Sequence, residues 1–266
     1  MGDRRMKKLK VMFCCARWLG IECLKLASKD KNIEIIGVSV PPSNREVWWK
    51  DVVDEKEIKK LKLNYISSDK IAKFIRSKKP DIVFSILTDY IFKEEDIDAT
   101  KYGIINLHPA PLPYYRGCNS YAHAIMNGES QYGASMHYVS PGIDEGDIIK
   151  VDWMHISDKD TGRSLYNKTQ ILALSLFSKI YPYVIHNAMI KKRVPSMEQL
   201  EDKSRYYNRK SLTGIKDIPF NQLKLTCFDK LYSFVRALEF EPFEPSFIVH
   251  DGKKIYLTTT YNRSIR

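Results

Sequence analysis

Asn106 and His108 stand two residues apart, and prolines follow at positions 109, 111 and 113. On a strand, residues two apart share one face. Proline cannot continue a hydrogen-bonded ladder, so the chain must leave the sheet as an extended loop. The amide and the imidazole therefore fall at the carboxyl end of a strand, where open α/β sheets bind ligands. Further on, the turn Pro141-Gly142-Ile143-Asp144-Glu145-Gly146-Asp147 can return a carboxylate to the same edge.

An amide, an imidazole and a carboxylate suit acyl transfer. The amide N–H can hold a developing oxyanion, the imidazole can move a proton, and the carboxylate can orient the imidazole. If a substrate amine attacks directly, no Ser or Cys nucleophile is required, and nothing around Cys118 marks it as an activated thiolate. The same residues also fit an ordinary loop with a structural histidine, and the pattern alone leaves both readings open.

The elements that must position this edge read as a doubly wound sheet. Residues 9–16 form an apolar run typical of a strand covered on both faces. A helix follows with Ile21, Leu24 and Ala27 on one side, then a β-branched run at 33–40 ended by Pro41-Pro42. No G-x-G-x-x-G follows the first strand, which removes a dinucleotide fingerprint. Asp69 is placed to cap a helix carrying Ile71, Phe74 and Ile75, and Pro80 stops it. Strands are expected at 81–87, 104–107, 133–139 and 147–155. Asp160-Thr161-Gly162 opens a long amphipathic helix with Leu165, Leu172, Leu176, Ile180 and Val184 on its buried side. Beyond about Arg205 the chain turns to short polar segments. It ends in a hairpin signal, Asp251-Gly252 between β-rich runs at 246–250 and 253–260.

The chain has 266 residues, 44% of them apolar, which suits one medium-sized domain with a small appendage. The expected division is a domain over 1–204 and a smaller region over 205–266. Lys+Arg exceeds Asp+Glu by 43 − 32 = 11, which favours an anionic partner without choosing one. The basic residues are scattered, as on solvated helix faces. Five cysteines with no C-x-x-C pair and no histidine neighbours read as reduced thiols in a cytoplasmic protein, not as a metal site. No run approaches the roughly 20 apolar residues that span a bilayer, so no membrane partner is expected.

The segment N-L-H-P-A-P-L-P-Y-Y-R-G, followed by S-P-G-I-D-E-G-D-I-I, resembles the folate-dependent formyltransferase family. That family includes methionyl-tRNA formyltransferase, glycinamide ribonucleotide transformylase and the nucleotide-sugar N-formyltransferases. The resemblance runs from about Leu9 to Met189 and includes D-T-G-R-S-L at 160–165. It implies a Rossmann-like α/β core with a mostly parallel sheet, and it makes Asn106, His108 and Asp144 the catalytic trio. The implied donor is N10-formyltetrahydrofolate, a co-substrate, with no metal. Its pterin is expected near 85–92 and 139–144, with Ile86, Leu87, Tyr90, Val139, Gly142 and Ile143 as contacts.

A C-terminal β region of this size resembles the nucleotide-sugar enzymes. A tRNA-binding barrel does not fit it, so nucleic acid is not the expected acceptor. The implied acceptor is an amine on a nucleotide-linked dideoxy sugar, of the dTDP-4-amino-4,6-dideoxyglucose type, feeding O-antigen or lipopolysaccharide synthesis. Arg17 after the first strand could meet a diphosphate, Trp48 or Trp49 could stack on the base, and Arg116 could reach phosphate or sugar hydroxyls. The alternatives are a surface charge, a local aromatic cluster and a loop tie. The apolar hairpin needs a partner surface, which a homodimer or the protein's own core would supply. Methionyl-tRNA formyl transfer, formyl-folate hydrolysis and a catalytically inactive binding module remain the other readings.

Overall fold

A computed structural model describes residues 7–41, 55–219, 223 and 227–259. Strand β1 (Leu9–Cys15) runs into helix α1 (Arg17–Ala27) and β2 (Ile33–Ser39). Then come α2 (Glu55–Lys60), α3 (Ile71–Lys78), β3 (Ile82–Ile86), α4 (Glu94–Asp98) and β4 (Ile104–His108). A short β5 (Arg116–Gly117), α5 (Ser120–Met126), β6 (Gln131–Tyr138) and β7 (Ile148–His155) lead to α6 (Gly162–Met189). The last elements are β8 (Tyr206–Tyr207), α7 (Phe228–Leu238), β9 (Phe247–His250) and β10 (Lys253–Tyr256).

Six strands form one sheet in the order β2-β1-β3-β4-β6-β7. The first four are parallel, and β6 and β7 return antiparallel. The order reverses direction between β1 and β3, which opens a crevice at their carboxyl ends. The strands alternate between two covered faces, as their apolar runs require. Val11, Phe13 and Cys15 face a layer that includes Phe84, Leu176 and Phe177, whereas Met12, Cys14, Val83 and Ile104 pack with Ile71 and Ile75 of α3. Helix α6 starts on Thr161, whose hydroxyl accepts the Ser164 N–H, a capping box that fixes where the helix begins.

Two expectations need correction. Asp69 caps no helix: it lies inside a 3₁₀ turn over Ser68–Lys70, and α3 begins on Lys70 without a side-chain cap. The region beyond 205 is also more than polar segments and a hairpin. Its α7 packs against α5 and α6, and the buried Arg236 donates to the carbonyls of Ser157 and Asp160. The Asp251-Gly252 turn forms as expected, with φ of 49° and 72°, the paired positive values a two-residue hairpin demands. Phe247 and Ile248 are buried, while Val249, Ile255 and Tyr256 stay exposed. Among the described residues no helix is long and apolar enough to cross a membrane.

Candidate active site

Antiparallel pairing of β4 with β6 sets Asn106 opposite His137 and His108 opposite Ser135. Directly paired residues project to the same face, so β4 and β6 jointly present one amide and two imidazoles at the sheet's carboxyl edge. The turn after β6 adds the carboxylate. Asp144 adopts φ 57°, a left-handed conformation uncommon outside glycine that Asp tolerates better than most residues.

The contacts define the hydrogen-bond pattern of this edge. His137 donates from Nδ1 to the Tyr138 carbonyl at 2.8 Å, which leaves its Nε2 facing Asn106 and Asp144. The Asn106 amide nitrogen donates to that Nε2 at 3.0 Å and to Oδ1 of Asp144 at 3.2 Å. A carboxylate only accepts, which fixes the amide nitrogen, not its oxygen, toward Asp144. Oδ2 of Asp144 accepts the Gly117 N–H at 2.9 Å and lies 3.6 Å from Nδ1 of His108. The His108 Nε2 faces the Tyr115 carbonyl at 2.9 Å, so Nδ1 is the nitrogen left to trade a proton. Burial pushes the Asp144 carboxyl up, but the His108 charge, the His137 ring and the Gly117 N–H outweigh it and hold the group well below the usual carboxylate range.

Asn106, His108 and Asp144 line one cleft of about 420 Å³. Leu87, Tyr90, Val139, Gly142 and Ile143 line it as well, and Leu87 and Gly142 have φ of 55° and 112°. The Tyr90 hydroxyl is committed to Asp96 at 2.8 Å, leaving its ring to the cleft. Ile86 is a correction: it is fully buried in the layer under α6 and does not line the cleft, because its position on β3 points it to that face.

Arg17 lines the cleft and donates to the Tyr166 hydroxyl at 3.0 Å. Arg116 does not line it. Its guanidinium donates to Gln199 at 3.1 Å and to both oxygens of Glu201 at 2.9 and 3.3 Å, with only 4% of the residue exposed. Of the two readings offered by the sequence, the loop tie is the one the contacts describe. Trp48 and Trp49 lie outside the described residues.

Sequence reasoning missed three side chains. His137 could have been found from alternation along 133–139, which puts it on the face shared with Ser135. Gln170 lines the cleft with its Nε2 buried and without a hydrogen-bond partner, and its only sequence signal is one polar residue one turn beyond Tyr166 on α6. Gln199 gave no signal. Among the described residues no group of three or more His, Cys, Asp or Glu could hold a metal ion.

Residues 43–181 match the formyl transferase family. The bifunctional polymyxin resistance protein ArnA of Wigglesworthia glossinidia brevipalpis is 27% identical over 90% of this chain, which spans 35% of that relative. The GDP-perosamine N-formyltransferase of Brucella melitensis is 28% identical over 72% of this chain and 69% of its own. A methionyl-tRNA formyltransferase of Fusobacterium nucleatum is 30% identical over 69% of this chain and 56% of its own. Among solved structures, a 4-N formyltransferase from Francisella tularensis superposes with a TM-score of 0.79 at 18% identity, covering 97% of this chain and all of that one. An N-formyltransferase from Helicobacter canadensis, in complex with folinic acid and dTDP-3-aminofucose, gives 0.73 at 22% identity over 93% of this chain and 86% of its own.

Proposed function

The chain belongs to the formyl transferase family, and from that premise we propose that it moves a formyl group from N10-formyltetrahydrofolate to the amine of a nucleotide-linked amino sugar. The observation that carries this reading is the convergence of Asn106, His108 and Asp144 on one cleft. The donor, when bound, supplies a formyl carbon open to attack by an amine. The strand-end segment with Leu87 and the turn with Val139, Gly142 and Ile143 would hold its pterin, an apolar slot edged by backbone groups. The Asn106 amide, whose nitrogen donates to His137 and Asp144 in this structure, would turn one N–H to the charge developing on the formyl oxygen. His108 would take the proton of the attacking amine on Nδ1 and return it to the folate nitrogen as the bond between that nitrogen and the formyl carbon breaks, with Asp144 keeping the ring in place.

Arg17 and Gln170 would face the acceptor, Arg17 toward a diphosphate and Gln170 toward a sugar or ribose hydroxyl. A buried amide with no partner of its own is left short of a hydrogen bond until a ligand completes it. The relative that acts on GDP-perosamine and the structure crystallised with dTDP-3-aminofucose support a nucleotide-sugar acceptor. Within that class we favour a dTDP-linked 4-amino-4,6-dideoxyglucose, leading to O-antigen or lipopolysaccharide. The exposed Val249, Ile255 and Tyr256 support pairing of two copies through the hairpin, and the free cysteines suit a cytoplasmic enzyme.

The test is to incubate the purified protein with formylated folate and, separately, dTDP-amino sugars, GDP-perosamine, charged initiator tRNA or no acceptor. Formyl transfer to a nucleotide sugar is expected. Transfer to tRNA alone would replace the acceptor, and formyl release without an acceptor would make the protein a hydrolase.

A further inference from the structure

Past α6 the chain doubles back across the active edge. Strand β8 pairs with β5, so that the Arg116 N–H donates to the Arg205 carbonyl at 2.8 Å and the Cys118 N–H to the Tyr207 carbonyl at 2.7 Å. A methyl group on Gly117 would lie 2.2 Å from the Tyr207 oxygen, so only glycine admits this approach. Between α6 and β8 stands Gln199, 6% exposed. Its Nε2 donates to the carbonyl of Asp144 at 2.8 Å and to that of Gly146 at 2.7 Å, and its Oε1 accepts from Nε of Arg116 at 3.1 Å.

One buried amide thus joins the turn carrying the carboxylate to the loop whose Gly117 N–H binds that carboxylate. The left-handed φ of 57° at Asp144 is open to Asp at modest cost, and the two bonds from Gln199 to the Asp144 and Gly146 carbonyls select it over the commoner conformations. From this geometry we propose that Gln199 is a positioning residue, which holds the Asp144 backbone left-handed so that its carboxylate faces His108 and Gly117. The proposal deepens the formyl-transfer reading and rests on it for its kinetic consequence.

Two roles for Gln199 are separable because its amide donates to one loop and accepts from the other. A carboxylate in its place still accepts from Arg116, and more strongly, but it opposes the two carbonyls. If Gln199 serves only to anchor Arg116, Gln199→Glu is tolerated. If it positions Asp144, Gln199→Glu is harmful even though the fold keeps its tie. Glu201→Gln is the control, since it weakens the Arg116 pairing without touching Asp144.

The experiment measures steady-state kinetics and residue-resolved amide hydrogen exchange of the full chain for Gln199→Glu, Gln199→Leu and Glu201→Gln. Expected for both Gln199 variants is a drop in kcat of about tenfold or more, with KM for donor and acceptor changed less than about threefold, since an interaction acting on the transition state lowers kcat alone. The Gly117 amide should exchange about tenfold faster, and Glu201→Gln should match the wild type in kcat. Wild-type kcat in Gln199→Glu, an unchanged Gly117 exchange rate, or an equal loss in Glu201→Gln would each overturn the proposal. Should the wild type transfer formyl to no acceptor, the function reading fails, and Gly117 exchange still decides whether Gln199 positions Asp144.

Discussion

The aromatic layer under α6 and the polar edge above it lie only a few residues apart along β3 and β4, yet they hold together by opposite means. In the layer, Phe84 contacts Phe13, Phe177 and Tyr181 at ring distances of 5.2, 5.4 and 5.7 Å. These contacts are spread over many atoms, and a change in one is felt largely in proportion to the volume lost. At the edge each polar atom has specific, named partners. The Asn106 nitrogen serves His137 and Asp144, and Oδ2 of Asp144 serves Gly117 and faces His108. Removing one group there leaves its partners misdirected rather than merely less crowded. Stability should therefore follow the layer, and rate should follow the edge.

The sharpest break of that contrast comes from the layer. Phe84→Ala should destabilise the fold by about 3–5 kcal/mol, read by denaturant unfolding, while the fraction still folded at low temperature keeps its kcat. A comparable loss of kcat in the folded fraction would erase the distinction. At the edge, His108→Ala should lower kcat by about 10²–10³, or roughly 2.7–4 kcal/mol in the barrier, with a melting temperature close to the wild type. Full transfer rate in that variant would refute the mechanism.

Smaller effects sharpen the boundary between the two regions. Gln170→Leu removes an amide with no partner in the fold, so it should leave stability unchanged or raised. The KM for the acceptor should rise by about tenfold, near the upper worth of one neutral hydrogen bond. The smallest effect concerns His123, stacked on Tyr207 at 3.8 Å. Burial pushes its imidazole down from 6.5 to about 4. The unfolded chain then binds the proton more readily than the native one between these values. Stability is therefore complete above 6.5 and falls as the pH drops toward 4. Melting curves between pH 7 and pH 4 should show this decline in the wild type and a shallower one in His123→Phe, which keeps the stack.

Much of the edge was legible in the sequence because it is local. The two-residue spacing of Asn106 and His108 and the prolines behind them place both side chains without knowledge of any other strand. The glycines around Asp144 mark the turn that returns it. What escaped is whatever depends on partners distant in the chain. Arg116 reads as a phosphate ligand until Gln199 and Glu201, more than eighty residues later, claim its guanidinium. Ile86 reads as a cleft residue because a strand end is near, but parity sends it to the opposite side. Helix α7 was hidden because the polar stretch before it obscured its amphipathic face, although Val235, Ala237 and Leu238 are all buried.

The backward path of residues 199–207 has a consequence for the order in which the protein becomes complete. The six strands and α6 are all synthesised before it, so the sheet can close while the ribosome still holds this segment, domains being assembled from the amino end. Until it emerges, the amides of Arg116 and Cys118 have only water to bind, and the turn bearing Asp144 lacks its clamp. A nascent chain at that stage would have its architecture but not its chemistry, which would wait for the segment that follows α6.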